Sequence, residues 1–149
     1  MIFVRRAHSD DLAVSVHLFQ GYLSFYGRDH SAAAVSTFLS ERLTANDSII
    51  FLALEGSAAV GIAQVYPTFA TLSLSPSWVL GDLFVSPAAR RTGAGRALLQ
   101  TVSEEAKRAG AAYVALETAH DNLRAQQLYE SEGFEIETEY LHYERPCEG

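Results

Sequence analysis

Arg90, Arg91, Thr92, Gly93, Ala94, Gly95 and Arg96 form a basic turn with two glycines one residue apart, directly ahead of a helical pattern. Residues of these types in this order suit a bound pyrophosphate. The first amides of a helix have no helical partner and sit at the positive end of its dipole. Gly93 and Gly95 lack a Cβ, so phosphate oxygens can come close to the main chain, and arginines add charge-assisted contacts. A plain strand-to-helix connection with solvated arginines would use the same residues, so the decision rests on what surrounds them.

Two nucleotide-binding patterns compete for this turn. A phosphate-cradling P-loop needs four residues between its glycines and then Lys-Ser or Lys-Thr, and neither is present. A dinucleotide fingerprint comes closer, because Glu117 lies some twenty residues on, at a strand end where a ribose-binding acid belongs. Against it, Leu98 occupies the third glycine position, the motif sits late in the chain, and no second mononucleotide half follows.

The elements that must position the turn can be read from hydrophobic spacing. Val79, Leu80, Leu83, Phe84 and Val85 make a mostly apolar run, the pattern of a strand covered on both faces, and Pro87 ends it. Ile2 to Arg6 reads as a first strand. Ser9, Asp10 and Asp11 open a helix whose stripe is Leu12, Val16, Phe19, Leu23 and Tyr26, ending at Gly27. A second helix is expected from about Ala32 to Leu43. Ile49 to Leu54 and Ala59 to Phe69 read as a hairpin turning at Glu55-Gly56-Ser57, and the key strand starts at about Trp78.

A helix over Ala94 to Ala109 carries Leu98, Val102, Ala106 and Ala109 inward and closes at Gly110. Tyr113 to Leu116 reads as a short buried strand. Asn122 to about Glu132 reads as a helix stopped by Gly133 with Phe134 behind it. Glu135 to Arg145 is expected to supply two final strands. The order βααβββαβαββ is that of a mixed α/β fold, with a right-handed crossover around the central helix. Without repeats or linkers, residues 1–149 are expected to form one domain.

Composition narrows the partners. With 48% hydrophobic and 19% charged residues the chain is globular rather than disordered. A net charge of −7 argues against nucleic acid as a partner, mildly favours cationic small substrates, and serves solubility. The single Cys147 excludes an internal disulfide and suits a reducing compartment, so a cytoplasmic location is expected. Ile2-Phe3-Val4 is too short for the apolar core of a secretory leader. The uncharged stretch from Gly56 to Gly81 is long enough to span a bilayer. Its Gly61, Gln64, Pro67 and serines divide it into strands and a loop, so no membrane contact is expected. The five histidines are scattered without ligand spacing, so no metal is expected.

Arg90-x-x-Gly93-x-Gly95, following Asp82-Leu83-Phe84-Val85-Ser86-Pro87, resembles the acyl-coenzyme A loop of GNAT-superfamily N-acetyltransferases. A second signature agrees: Asn122, Ala125, Leu128-Tyr129 and Gly133-Phe134 are similar to that family's Asn-x-x-Ala-x-x-Leu-Tyr-x-x-x-Gly-Phe pattern. Together they cover residues 79 to 134 in the family's order and spacing. The resemblance implies a single-domain GNAT acyltransferase fold: a mixed, mostly antiparallel sheet with a splayed central parallel strand pair, flanked by helices. It further implies acetyl-coenzyme A as co-substrate, a small-molecule or peptide amine as acceptor, and direct attack without a covalent enzyme intermediate. A homodimer is compatible with it. The alternative is a non-catalytic acyl-coenzyme A sensing module of the same fold.

By the same resemblance, amides from about Arg91 to Arg96 would hold the pyrophosphate, with Arg90 beside them. The main chain around Leu83, Phe84 and Val85 would pair with the pantetheine arm. Asn122 would hydrogen-bond the cofactor, and the Tyr129 hydroxyl would face its sulfur. The chemistry asks for such groups. An amine of pKa about 10.4 must lose its proton before it attacks, a penalty of about 4.6 kcal/mol at pH 7. Asp82 and Glu117 are the candidate bases, acting through water, although Asp82 could equally be a structural acid. A phenol can protonate the departing thiolate, a role that fits Tyr129, whose spacing also suits a core aromatic. Tyr22, Tyr26, Tyr66 and Phe69 are candidates for the acceptor pocket, and core packing explains them as well. His120 reads as a solvated loop residue.

Overall fold

The computed structural model describes residues 1–148. Five strands form one sheet in the order β1 (Ile2–Arg6), β2 (Ile49–Glu55), β3 (Ala58–Ala70), β4 (Ser75–Val85) and β5 (Val114–Leu116). All neighbours are antiparallel except β4 and β5, which run parallel. Helices α1 (Leu12–Phe25) and α2 (Ala32–Ala45) cover one face, and α3 (Ala94–Arg108) covers the other. A fourth helix, α4 (Leu123–Ser131), follows β5.

Local chemistry sets the helix ends. A 3-10 turn over Ser9–Asp11 leads into α1, fixed by Asp11, whose carboxylate accepts from the His8 amide at 2.8 Å and pairs with Arg5 through two 2.8 Å bonds. Ser31 Oγ caps α2 by accepting from the Ala34 amide at 3.1 Å. In α3, Leu98, Leu99, Val102 and Ala106 are buried, and cutting either leucine back to alanine costs about 2–5 kcal/mol. The α4 end closes as its sequence implied. Gly133, at φ +90°, donates to Glu130 O, and the Phe134 amide donates to Tyr129 O at 3.0 Å.

Two features of β4 create the site. Its parallel pairing with β5 stops at Leu80–Leu116, so the edge of β4 from Gly81 to Val85 faces a gap. Gly81 is also an extra residue in the ladder with β3: Gln64 pairs with Asp82 and Val65 pairs with Leu80. This bulge resets the alternation. Leu80 belongs to the core under α3, yet Asp82 lies with Gln64 and Tyr22 on the α1 face, while Leu83 and Val85 return to the α3 side.

Four expectations need correction. The strand after α3 is not buried: it starts at Val114, and Tyr113 and Ala115 are exposed. Ala109 lies exposed past the end of α3 rather than inward. The run Val79 to Val85 is not covered on both faces: Val79 is 38% exposed, and Asp82 to Val85 are only half-buried because they border the gap. Glu135 to Arg145 forms no strands. The alternating Glu-Ile-Glu-Thr-Glu-Tyr pattern finds no ladder partner, and the Glu137 carboxylate accepts from the amides of Glu139 (2.6 Å) and Tyr140 (3.1 Å), folding the segment on itself.

Candidate active site

The turn ahead of α3 has the form of an anion cradle. Pro87–Ala89 make one 3-10 turn, Arg91 and Gly93 adopt left-handed backbone (φ +70° and +90°), and α3 begins at Ala94. The first helical bond runs from Ala97 N to Gly93 O at 2.9 Å, so the amides of Ala94, Gly95 and Arg96 are the open donors. A Cβ on Gly93 would meet nothing within 4 Å, which leaves the mouth of the turn open.

The arginines of the turn differ from one another. Arg91 is exposed. The Arg90 Nε donates to Val85 O at 3.3 Å, and its guanidinium lies over Phe25 and Phe84 at 5.8 and 6.0 Å. Arg96 reaches Ser131 Oγ at 3.0 Å and pairs with Glu132, tying α3 to α4. Arg90 and Arg96 are therefore tied to neighbouring protein groups, and the open main-chain donors of the turn are the amides of Ala94 to Arg96. Thr92 is held by its own hydroxyl, which donates to Ala89 O at 2.5 Å.

On the α1 side of the gap, Asp82 stands in an aromatic pocket. Tyr22 packs edge-on against Phe19, Tyr26 and Phe84, and its hydroxyl donates to Gly81 O at 3.4 Å. Burial, and then the charge of Asp82, drive the Tyr22 phenol far above its ordinary range. The same two causes push Tyr66 up to about 12. Both phenols therefore stay protonated, and Asp82 lies near both. Gln64 Nε2 donates to Asp82 Oδ2 at 3.0 Å.

Tyr129 comes from α4. Its half-buried ring meets Phe134 edge-on at 6.1 Å, and burial raises its pKa, with a smaller contribution from Tyr26. Asn122 caps α4: its Oδ1 accepts from the Ala125 amide at 3.3 Å, so the carboxamide NH2 is the end left for a ligand.

Other predicted residues lie elsewhere. Glu117, just past β5, is 82% exposed and stands 3.6 Å from His142 Nδ1. Phe69 is 81% exposed and pairs with Pro76, at the far end of β3 from Asp82. His120 is exposed, in the loop before α4. Sequence reasoning missed Gln64 and the role of Gly81. The available signal was a lone amide in the otherwise apolar run Gly61-Ile-Ala-Gln-Val65. Among the described residues no three His, Cys, Asp or Glu side chains group as metal ligands, and no helix is long and apolar enough to cross a membrane.

The site thus combines a bulged strand that parts from its parallel neighbour with an open helix N-terminus at the mouth of the gap. The model of the Acetyltransferase (GNAT) family matches residues 16–134; the chain belongs to that family and is an acyltransferase. It is similar to the uncharacterized N-acetyltransferase YhfO of Bacillus subtilis (strain 168), at 38% identity over 94% of each chain. A crystal structure described as a probable acetyltransferase superimposes with a TM-score of 0.94 at 34% identity, over 99% of each chain. The aminoglycoside N-acetyltransferase AAC(6')-Iy, solved with CoA, shares the fold at a TM-score of 0.81 and 21% identity, over 99% of this chain and 96% of that one. Family membership sets aside the dinucleotide reading of the glycine turn.

Proposed function

We propose that the protein transfers an acetyl group from acetyl-coenzyme A to a primary amine of a small molecule or peptide, by direct attack in a ternary complex. The observation that carries this reading is the unpaired edge of β4 beyond Leu80, with Asp82 on its α1 side and Tyr129 contributed by α4. The donor supplies an activated acetyl thioester. The residues present fit it: open amides at Ala94 to Arg96 for the pyrophosphate, the main chain of Leu83 to Val85 for the arm, and the Asn122 amide.

Asp82 draws the cationic acceptor into the pocket of Tyr22, Tyr26 and Tyr66 and receives its proton through water, which offsets the cost of freeing the amine. A backbone amide near Phe84 meets the negative charge developing on the thioester oxygen. Tyr129, kept protonated by its burial, gives its proton to the leaving sulfur. Asp82 is preferred to Glu117 as the base because it lies in the aromatic pocket rather than in solvent. The reading places the reaction in the cytoplasm, in line with the exposed free Cys147.

A thiol-release screen of acetyl-coenzyme A against primary amines tests it. Sisomicin belongs in the panel because an aminoglycoside acetyltransferase of the same fold was solved with it. The expected result is free coenzyme A and one acetylated amine per turnover, with Asp82→Asn slower by at least about tenfold. Tight coenzyme A binding with no amine turned over would contradict the reading.

A further inference from the structure

Gln64 is the polar member of a buried stretch of β3, 2% exposed, with Gly61, Ile62, Ala63 and Val65 buried around it. A carboxamide is tolerated there only if its groups are satisfied. Both ends are. Gln64 Oε1 accepts from Ser48 Oγ at 2.9 Å, and Ser48 is itself 3% exposed. The other end, Nε2, donates to Asp82 Oδ2 at 3.0 Å. The polarity of this chain is fixed, because a carboxylate needs a donor and only the NH2 end supplies one.

We propose that Gln64 is a positioning residue for the base, Asp82: braced by Ser48, it holds the Asp82 carboxylate in the one orientation that faces the amine. This rests on the reading of Asp82 given above. The argument is one of register. The bulge at Gly81 sets Asp82 directly opposite Gln64 instead of on the α3 face, so the amide and the carboxylate meet side by side across the ladder. Two phenols also act on Asp82: Tyr22 of α1 and Tyr66 of β3 both interact with its carboxylate, and Tyr22 donates to the Gly81 carbonyl besides. Gln64 differs from them in being buried and braced at its far end by Ser48. Tyr129 comes from α4, and Glu117, past β5, lies in solvent. A hydrophobic residue at position 64 would fill the same core, so packing alone does not call for glutamine.

The test replaces Gln64 by leucine, which keeps the bulk and removes the donor. In a crystal structure of Gln64→Leu the Asp82 carboxylate should be rotated or split between rotamers; an unmoved carboxylate overturns the inference whatever the acceptor. Kinetics with the fastest amine of a panel of sisomicin, spermidine and lysine methyl ester supply the second readout. The variant should lose roughly tenfold in kcat, with KM for acetyl-coenzyme A within about twofold of the parent. The double variant Gln64→Leu/Asp82→Asn should be no slower than Asp82→Asn alone, since Gln64 acts through Asp82. Independent, multiplying losses overturn the inference. If Asp82→Asn is impaired and Gln64→Leu is not, the Gln64 inference alone fails. If Asp82→Asn is fully active, the reading of Asp82 fails and this inference falls with it. Should Gln64→Leu not fold, Ser48→Ala frees the far end of the amide. It should lower kcat by about threefold and loosen Asp82, and an unchanged variant counts against the inference.

Discussion

The ring of Tyr66 lies so close over Gly81 that a β-carbon on the glycine would stand 2.6 Å from Tyr66 Cε2. The bulge that turns Asp82 to the α1 face therefore needs a residue without a side chain. Gly81→Ala must push Tyr66 aside or flatten the bulge. It should cost about 1–3 kcal/mol of stability, as overpacking does, and lower kcat with little change in coenzyme A affinity. Urea unfolding and steady-state rates check both. A variant with native stability and rate would show that the close approach does not matter.

Tyr129→Phe keeps the ring against Phe134 and removes only the proton. We expect kcat to fall by roughly 10²-fold with coenzyme A binding preserved. Because burial raises the Tyr129 pKa, the parent enzyme should show no alkaline downturn from this residue below about pH 10. Near-native kcat in the variant would return Tyr129 to a packing role.

Gly95→Asp tests the cradle. Its Cβ would meet Leu128 Cδ2 at 3.4 Å and Val85 Cγ2 at 3.8 Å, ordinary contacts, and an acid near a helix N-terminus does not oppose folding. The added charge, however, stands beside the open amides. Calorimetry should show acetyl-coenzyme A binding weakened by at least about tenfold, or about 1.4 kcal/mol. Unchanged affinity in the folded variant would remove this turn from the site.

The Arg5–Asp11 pair gives a pH signature far from the chemistry. Its hydrogen bonds hold the Asp11 carboxyl down at about 2, against an ordinary 3.8. A depressed folded-state pKa stabilises above the ordinary value, and the benefit is lost as pH falls towards 2. Asp11→Asn should cost about 1 kcal/mol near neutrality, a modest figure because Arg5 is partly exposed, and the gap from the parent should close with acid. Stability curves that stay parallel from neutrality to about pH 2 would contradict this.

Much of this was legible in the sequence because it is local. The glycine turn and the Gly133-Phe134 closure are written within a few residues each, and the structure shows both. The face of Asp82 was not legible, since one extra residue inverts the alternation and only the β3 register reveals it. Gln64 escaped for the same reason: its meaning lies in Ser48 and Asp82, sixteen and eighteen residues away. The tail from Glu135 carried a strand pattern, but strands need a partner edge as well as a pattern, and Glu137 supplied a local turn instead.

The most direct test of the account is the initial-rate pattern with acetyl-coenzyme A varied at several fixed concentrations of a competent amine. Direct attack in a ternary complex predicts intersecting reciprocal lines, which should still intersect, at lower kcat, in Asp82→Asn. Parallel lines, with an acetylated enzyme isolable in the absence of amine, would show a covalent route and contradict the mechanism.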